Sequence, residues 1–556
     1  MEKDVIVVGS GGAGLTAAIT AAIGGLDVLL IEKSEYFGGA TALSGGGIWI
    51  PGNSLAKKEG IDDSPDAAAR YIQGLVGDIV RKDVLDAYVH NAAPMLDFML
   101  ANTEADFSLH HNEPDYYQEI DGAAMDGRLL DPVDYDGRKL GDTLGHLRPP
   151  LKEFNAPLGF MINFEDIPHL MNAGKSAKST LHVLKLAGRY AMDRLRYPRG
   201  TRLTMGNALV ARLIQSARKA GVELWHSAPM KELVAENGRV VGVEVERNGK
   251  VETIRARRGV VLATGGFSAS REMRRKYFPY PDEHVTLMPD SNTGDGLKNA
   301  QLLGAELETG NHANAAYNVV SVLEKPDGTL GKYPHVFLDR PKPGCIGVNR
   351  EGKRFGNEAA ANYFKAMHDT GSVPAYLVCD HPFIKKYGLG LVYPGGVGLN
   401  KMLKIGYVTR GATLKELAEK IGVDPEGLEA TVAQYNRYAE DGVDPDFHKG
   451  ESPADIALGD PEHKPNPCLG RVAQGPFYAV TIYPGDGSST LGLKVDAATH
   501  VLDKEDQPIP GLYACGLDMN VLWRGREPAH GSYNGLSMTF GYVAARQLLE
   551  QSGQSQ

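Results

Sequence analysis

The chain has 556 residues, 42% of them hydrophobic, which is room for about two to four domains with full cores. A formal net charge of -10 leaves no basic footprint and argues against nucleic acid as a partner. The 67 glycines are a high count and point to many close backbone approaches.

Cys345, Cys379, Cys468 and Cys515 lie far apart, show no CxxC or metal-ligand spacing, and read as reduced thiols of a cytoplasmic protein. A first strand is expected from Asp4, which leaves no space for a leader's basic region and separate apolar stretch. Val5 to Ile31 is apolar but interrupted by turn glycines and closed by a charge, so no integral membrane segment is expected.

The most informative stretch comes first. Val5-Ile6-Val7-Val8 is a β-branched run, Gly9-Ser10-Gly11-Gly12-Ala13-Gly14 a glycine turn, Leu15 to Ile23 an apolar helix, and Val28 to Ile31 a second buried strand ending at Glu32. Strand, Gly-x-Gly-x-x-Gly turn, helix, strand and acid in this order make a dinucleotide-binding βαβ unit. Gly9 permits the tight turn, Gly11 lets backbone approach a pyrophosphate, and Gly14 lets helix and strand pack closely. The helix N-terminus then faces the phosphates with its free N–H groups, and Glu32 stands where ribose hydroxyls need an acceptor.

Directly after Lys33, the run Gly38-Gly39-Ala40-Thr41-Ala42-Leu43-Ser44-Gly45-Gly46-Gly47 sets two glycine clusters around small hydroxyl residues. Such a segment closes backbone around a large flat ligand, which suits a flavin better than a nicotinamide. Helical spacing follows over Ala67 to Val76 and Val84 to Leu100, then an aromatic loop with Tyr116 and Tyr117. The segment Pro149 to Tyr197 alternates loop and helix and ends on a helix from Leu181 to Leu195.

The dinucleotide theme returns from Met205 to Gly266. A helix over Ala208 to Ala220 leads to a strand, a hairpin is expected over Arg247-Asn248-Gly249, and a buried strand ends at Ala263-Thr264-Gly265. The turn Asn292-Thr293-Gly294-Asp295 aims one more helix at a ligand. Residues 307–475 carry no dinucleotide signature and read as an inserted domain. The C-terminal part returns with a strand ending at Gly516 and a glycine-rich turn into a helix from Leu536 to Leu549, whose N-terminus suits the pyrimidine edge of a flavin.

Taken together, Gly9 to Gly14 with Glu32, Gly38 to Pro51, Ala263 to Gly266, Arg354-Phe355-x-Asn357-Glu358 and the end of the chain resemble the flavoproteins that include 3-ketosteroid Δ1-dehydrogenases and soluble fumarate reductases. The resemblance spans nearly the whole chain. It implies an α/β fold: a Rossmann-like, glutathione-reductase-like FAD-binding domain (1–306 and 476–556) with an inserted α+β catalytic domain (307–475). FAD would be held by Gly9, Gly11, Gly12, Ala13, Gly14, Glu32 and Lys33, by Gly39, Ala40, Thr41, Ser44, Gly45, Gly46 and Gly47, and by Met230, Ala263, Thr264, Gly265, Asn292, Asp295, Gly516 and Leu536.

The implied reaction is α,β-desaturation of a cyclic ketone. Tyr363, after the Asn357-Glu358 pair, matches the family's proton acceptor, and Tyr116 or Tyr117 its supporting tyrosine; Tyr197 is a further candidate acceptor. The family holds the ketone oxygen with a tyrosine hydroxyl and a glycine N–H. The glycine falls at Gly531, but the tyrosine position reads Glu527, so Tyr533 or another tyrosine would have to substitute for the phenol. Arg526 or Arg524 in the same loop would grip a carboxylate, which favours a smaller or carboxylated cyclohexanone-type substrate. The alternative, reduction of an unsaturated acid, places an arginine shortly after the Asn-Glu pair, where this chain reads Ala359-Ala360-Ala361-Asn362-Tyr363. The electron acceptor and the oligomeric state are not encoded in any motif.

Overall fold

The computed structural model describes residues 1–551 except 153, 154, 157, 326 and 337. Three of these fall within the Pro149 to Tyr197 segment, and the expectation of alternating loop and helix lies outside the described residues there.

The β-branched runs become the parallel centre of an eight-stranded sheet. Glu2–Val8 pairs in parallel with Val28–Ile31 on one side and with Lys250–Leu262 on the other. Glu223–Trp225 extends the sheet beyond Val28–Ile31, and Pro508–Ala514 beyond Lys250–Leu262. Strands covered on both faces need no polar alternation, which is why they read as unbroken apolar runs. Because Val8 is level with both Ile31 and Leu262, and Leu262 with Ala514, the chain leaves four neighbouring strands at one edge. Gly9, Glu32, Ala263 and Cys515 share that edge, the place where open α/β sheets bind ligands.

Lys250–Leu262 is also an arm of the expected hairpin. Arg247 pairs with Lys250, and Asn248 (φ 51°) and Gly249 (φ 74°) both take left-handed backbone, as a two-residue type I′ turn demands. The helix Gly12–Ile23 packs on the C-terminal helix Ser532–Glu550 so closely that a Cβ on Gly541 would stand 2.3 Å from the Ala13 carbonyl oxygen. The two ends of the chain are thereby locked together.

The second sheet has seven strands, with Phe477–Ser489 at its centre. That strand pairs antiparallel with Ala315–Glu324, Ala375–Cys379 and Thr409–Gly411, and in parallel with the short Val285–Thr286. The expected boundaries at 306/307 and 475/476 therefore leave two strands of this sheet outside the inserted segment. Alternate residues face opposite ways, as a pleated strand requires. Ala375, Leu377 and Cys379 enter a core with the helices Tyr363–Thr370 and His381–Lys386, while Tyr376 and Val378 enter another with Leu414–Ile421 and Pro425–Asp441. A small third sheet, Ile48–Trp49, Leu129–Pro132 and Phe107–Leu109, ties the glycine segment to the aromatic loop. All four cysteines are free and buried, and among the described residues no helix is long and apolar enough to cross a membrane.

Candidate active site

Along the sheet edge the glycines divide into two kinds. A Cβ on Gly9 would stand 2.1 Å from the Ala263 carbonyl oxygen, and one on Gly14 2.0 Å from the Gly9 oxygen, so backbone occupies those spaces. Gly11 is different: its nearest neighbour would be Thr41 Oγ1 at 3.9 Å, which leaves the backbone open to a ligand. Gly39 lies opposite, its Cβ position 3.5 Å from the Gly11 Cα. Thr41 Oγ1 accepts from the Gly12 amide (3.0 Å) at the helix N-terminus, and Ala13 meets Gly516, which has φ 65°. Glu32 accepts from the Ser10 hydroxyl (2.6 Å) and from the Ser34 amide (2.8 Å).

The rest of the arc is side-chain work. Lys33 Nζ bridges Thr293 (2.6 Å) and Asp295 (2.5 Å), and Asn292 donates to the Gly265 carbonyl (2.7 Å). The buried Asp518 carboxylate accepts from the Thr264 hydroxyl (2.9 Å) and the Gly266 amide (3.1 Å), fixing the turn after Ala263. Gly46 donates to Ser44 Oγ (3.0 Å), Asn534 to the Gly47 carbonyl (3.1 Å) and Trp49 to the Gly531 carbonyl (3.1 Å). The segment with Ala40 and Gly45 is thus pinned along the start of the last helix, where Leu536 is buried; Met230 is buried at the start of Met230–Glu236.

Beyond the helix start the aromatic loop comes in. Asp115 holds it, accepting from Trp49 Nε1 (2.8 Å), Arg128 Nη1 (2.6 Å) and the Ala124 amide (2.9 Å). Tyr116 donates its amide to Pro528 (3.0 Å), and its ring meets His530 edge-on with centroids 5.0 Å apart. His530 also pairs with Glu113. Burial pushes the Glu113 carboxyl up, but the His530 and His110 imidazoles outweigh it and hold it below its ordinary value. Glu527, Tyr116, Tyr117 and Tyr533 lie within electrostatic reach of one another. Glu527 forms no hydrogen bond or ion pair with any described residue, and burial pushes its carboxyl up to about 7 against the pull of His530. Tyr533 lies beside Ser488, whose hydroxyl pulls its phenol down, but its buried hydroxyl forms no well-aligned hydrogen bond among the described residues. Burial, with Glu527 nearby, holds Tyr116 and Tyr533 well above the usual phenol range. Tyr117 is raised less, to about 12, mainly by burial and then Glu527, while Arg526 and the Asn362 amide beside its hydroxyl pull it down.

Comparison with known proteins adds to this geometry. A family model described as an FAD binding domain matches residues 4–533. The chain is 36% identical to the 3-oxosteroid 1-dehydrogenase of Mycolicibacterium smegmatis, across 98% of this chain and 96% of that protein. It is also 36% identical to the 4-oxocyclohex-2-ene-1-carboxylate 5-dehydrogenase of Sinomonas cyclohexanicum, across 98% and 93%. A crystal structure of 3-ketosteroid Δ1-dehydrogenase from Sterolibacterium denitrificans in complex with 1,4-androstadiene-3,17-dione superposes with a TM-score of 0.92, 36% identity and 99% and 100% coverage. The chain belongs to this family of FAD-binding flavoproteins. Its members are FAD-dependent dehydrogenases acting on CH–CH groups, and its cofactor is FAD.

The residues fit a flavin dinucleotide. The open backbone at Gly11 and Gly45 leaves room for it, and the Arg148 guanidinium, near Glu32, buries Nε and Nη2 without a partner. Arg148 and Asp518 belong to no glycine motif and are not singled out by the sequence; Asn534 lies within the glycine-rich turn before Leu536, where the glycines and not the amide carry the signal.

The catalytic candidates divide. Tyr116, Tyr117, Tyr533, Gly531 and the rim residue Arg526 gather at the cleft. Tyr363 does not. It is 1% exposed in the core of the second sheet, stacked on Phe355 at 5.0 Å, and its unpartnered hydroxyl would lie 1.8 Å from a Cβ on Gly347. Its exposed neighbour Asn362 reaches Tyr117 instead. Tyr197 sits near the exposed Arg138, and its carbonyl accepts from Arg194. Arg524 is buried, paired with Glu308 and donating to Asn311 (3.1 Å), which makes it a structural residue. Arg526 is exposed, and its guanidinium donates to the Leu75 carbonyl (2.9 Å).

Proposed function

We propose that this protein removes two hydrogens from the α and β carbons of a cyclic ketone, with Tyr117 taking the α-proton. The observation that carries this reading is the Tyr117–Asn362–Glu527–Gly531 grouping beside the flavin end of the arc. When bound, FAD supplies the acceptor for the β-hydride. An α-proton is acidic only while the carbonyl oxygen is hydrogen-bonded as enolate charge develops. Two donors are suited to that oxygen. One is the Gly531 amide, which caps the last helix with φ 77° and donates to no backbone carbonyl among the described residues. The other is Glu527: a neutral carboxylic acid in an apolar site donates much as a phenol does.

Tyr117 is then the base. Asn362 and Arg526 favour its ionised form and hold it nearer the usual phenol range than Tyr116 or Tyr533, on which the weaker pulls of Arg340 and of the Ser488 hydroxyl leave burial and Glu527 dominant. Tyr116 shapes the pocket with His530, and Tyr533 closes it from the helix side. For substrate, the reading is a small or carboxylated cyclohexanone. Arg526 at the rim has no acidic partner among the described residues and presents its guanidinium to a carboxylate, the chemistry named for the relative acting on 4-oxocyclohex-2-ene-1-carboxylate. A bound FAD would pass the two electrons on to a separate acceptor. The four reduced thiols agree with a cytoplasmic setting.

The test is anaerobic. Holoenzyme mixed with saturated cyclohexanones and with 3-ketosteroids is expected to lose flavin absorbance with the cyclohexanones first. Reoxidation of reduced enzyme by fumarate, with no bleaching by any ketone, would assign the site to an unsaturated acid instead.

A further inference from the structure

The second sheet buries a line of polar groups that the reaction leaves unused. His335 Nδ1 donates to Asp339 (2.6 Å), His335 Nε2 lies 2.7 Å from Ser321 Oγ, and that hydroxyl lies 2.6 Å from the Tyr407 phenol. Acid, imidazole and hydroxyl stand in the order of a hydrolase triad. Ser321 is fully buried and already shared with Tyr407, however, so no substrate reaches it. Burial pushes the Asp339 carboxyl up, but the His335 imidazole and the Gly390 and Arg340 amides outweigh it and hold the group below its ordinary value.

What the line holds is Arg340. Its amide donates to Asp339 (2.8 Å) and its Nε to the His335 carbonyl (2.5 Å), which fixes a buried guanidinium from behind. In front, Nη1 donates to the carbonyls of Glu358 and of Ala360 (2.8 Å to the latter). Those carbonyls lie in the stretch that delivers Asn362. Its start is anchored separately, Asn357 donating to Asp455 (2.8 Å) and Glu358 pairing with Arg354 (2.8 Å). Ala359-Ala360-Ala361 offer no polar side chain, so the run is placed through its backbone. Asn357 Oδ1 accepts from the Ala359 amide (2.9 Å), and Arg340 holds the Ala360 carbonyl. Two residues later Asn362 caps Tyr363–Thr370 with its amide beside the Tyr117 hydroxyl. The Arg340 charge also reaches Tyr116.

We propose that Arg340, held by Asp339 and His335, is a positioning residue for the desaturation: it sets the alanine run so that the Asn362 amide meets the Tyr117 phenolate. The inference rests on the reading of Tyr117 as the base. A donor speeds a reaction only if it is already aimed where the charge sits, because reorienting it during the step costs what the bond returns. Asn362 is exposed and has no packing to aim it, so its direction is inherited from the backbone that Arg340 pins.

The test is a double-mutant cycle on FAD-loaded full-length protein, read as the rate of anaerobic flavin bleaching by a saturated cyclohexanone. Asn362→Ala should slow bleaching about tenfold, the worth of one hydrogen bond to a charged group, with FAD content and KM unchanged. Asp339→Asn should slow it by a similar factor. Both should raise the isotope effect of the α-deuterated ketone, because proton removal becomes the slower step. In the Asn362→Ala background, Asp339→Asn should cost nothing more, since the two act through one contact. Should Asp339→Asn fail to fold, Ser321→Ala loosens the His335 end by one hydroxyl and should show the same coupling at about threefold. Losses that simply multiply overturn the proposal, as does lowered thermal stability with a normal bleaching rate. Normal rates in Asp339→Asn and Asn362→Ala while Tyr117→Phe is inactive overturn this inference alone. A full rate in Tyr117→Phe overturns the assignment of the base, and the inference with it.

Discussion

The nucleotide arc and the catalytic cleft meet at the same helix start, yet they are built on opposite terms. In the arc, apart from the Arg148 guanidinium, polar groups of the chain are matched to one another: Glu32 with Ser10 and Ser34, Lys33 with Asp295, Asp518 with Thr264 and Gly266. Where the arc leaves space, it is backbone space over glycine. In the cleft, Glu527 has no hydrogen bond or ion pair among the described residues, the Tyr533 hydroxyl has only Ser488 beside it, and Asn362 is exposed. Unsatisfied buried groups cost stability. In the proposed reading those at the flavin end await substrate, whereas in the arc the Arg148 guanidinium is the group left open, beside turns already fixed by glycine backbone and paired side chains.

The sharpest way to break the arc is steric. Gly14→Val would drive a side chain into the Gly9 carbonyl, 2.0 Å from its Cβ, and no rotamer relieves a backbone contact. Purified protein should carry no flavin by absorbance; near-full FAD content would show that the turn can move. The cleft should fail differently. Tyr117→Phe should keep FAD yet lose turnover by roughly 10²-fold or more, the scale of a positioned base. Retained turnover would remove Tyr117 from the reaction.

Glu527 gives the cleft a pH signature. Its carboxyl is pushed up to about 7 by burial, so the proton it would donate is present below that pH and absent above it. For a neutral cyclic ketone, kcat/KM should fall about tenfold per unit above the transition, while Glu527→Gln, still a donor, should lose that limb at reduced rate. Persistence of the limb in the Gln variant would assign it to another group. A smaller effect is expected at the rim. Arg526→Ala should raise KM by about tenfold for a carboxylated cyclohexanone and leave its neutral analogue unchanged, since only the former has a partner for the guanidinium. Equal effects on both would remove Arg526 from recognition.

The two regions also differ in how far they could be read from the chain. Gly9, Gly11, Gly14 and Glu32 are legible because each glycine answers a local backbone requirement at fixed spacing. The hairpin at Asn248-Gly249 is legible for the same reason. Phe477–Ser489 was not, because Pro484-Gly485 reads as a turn although it runs through the middle of the second sheet. The cleft takes side chains from three distant stretches: 113–117, Asn362 and 527–533. Nothing in the spacing of any one of them announces the others, and the substituted Glu527 was visible only as a departure.

Tyr363 shows where counting along a motif stops being enough, and it makes the smallest prediction. Two neighbours, Asn362 and Tyr363, compete for the position after Asn357-Glu358, and a motif cannot say which one turns outward. The helix decides. Asn362 is its cap, with φ -92°, and Tyr363 is its first residue. Tyr363 and Met367 are both buried and stand four residues apart, so they lie on one inward face. The apolar partner at i+4 was the available signal that Tyr363 belongs to the core. Tyr363→Phe deletes a hydroxyl that has no partner and leaves the ring on Phe355. Turnover should stay within about twofold of wild type, and thermal stability should hold or rise slightly, because an unsatisfied buried polar atom is lost. A large fall in turnover with FAD still bound would mean that the phenol swings into the cleft during reaction, and Tyr117 would then revert to a supporting role.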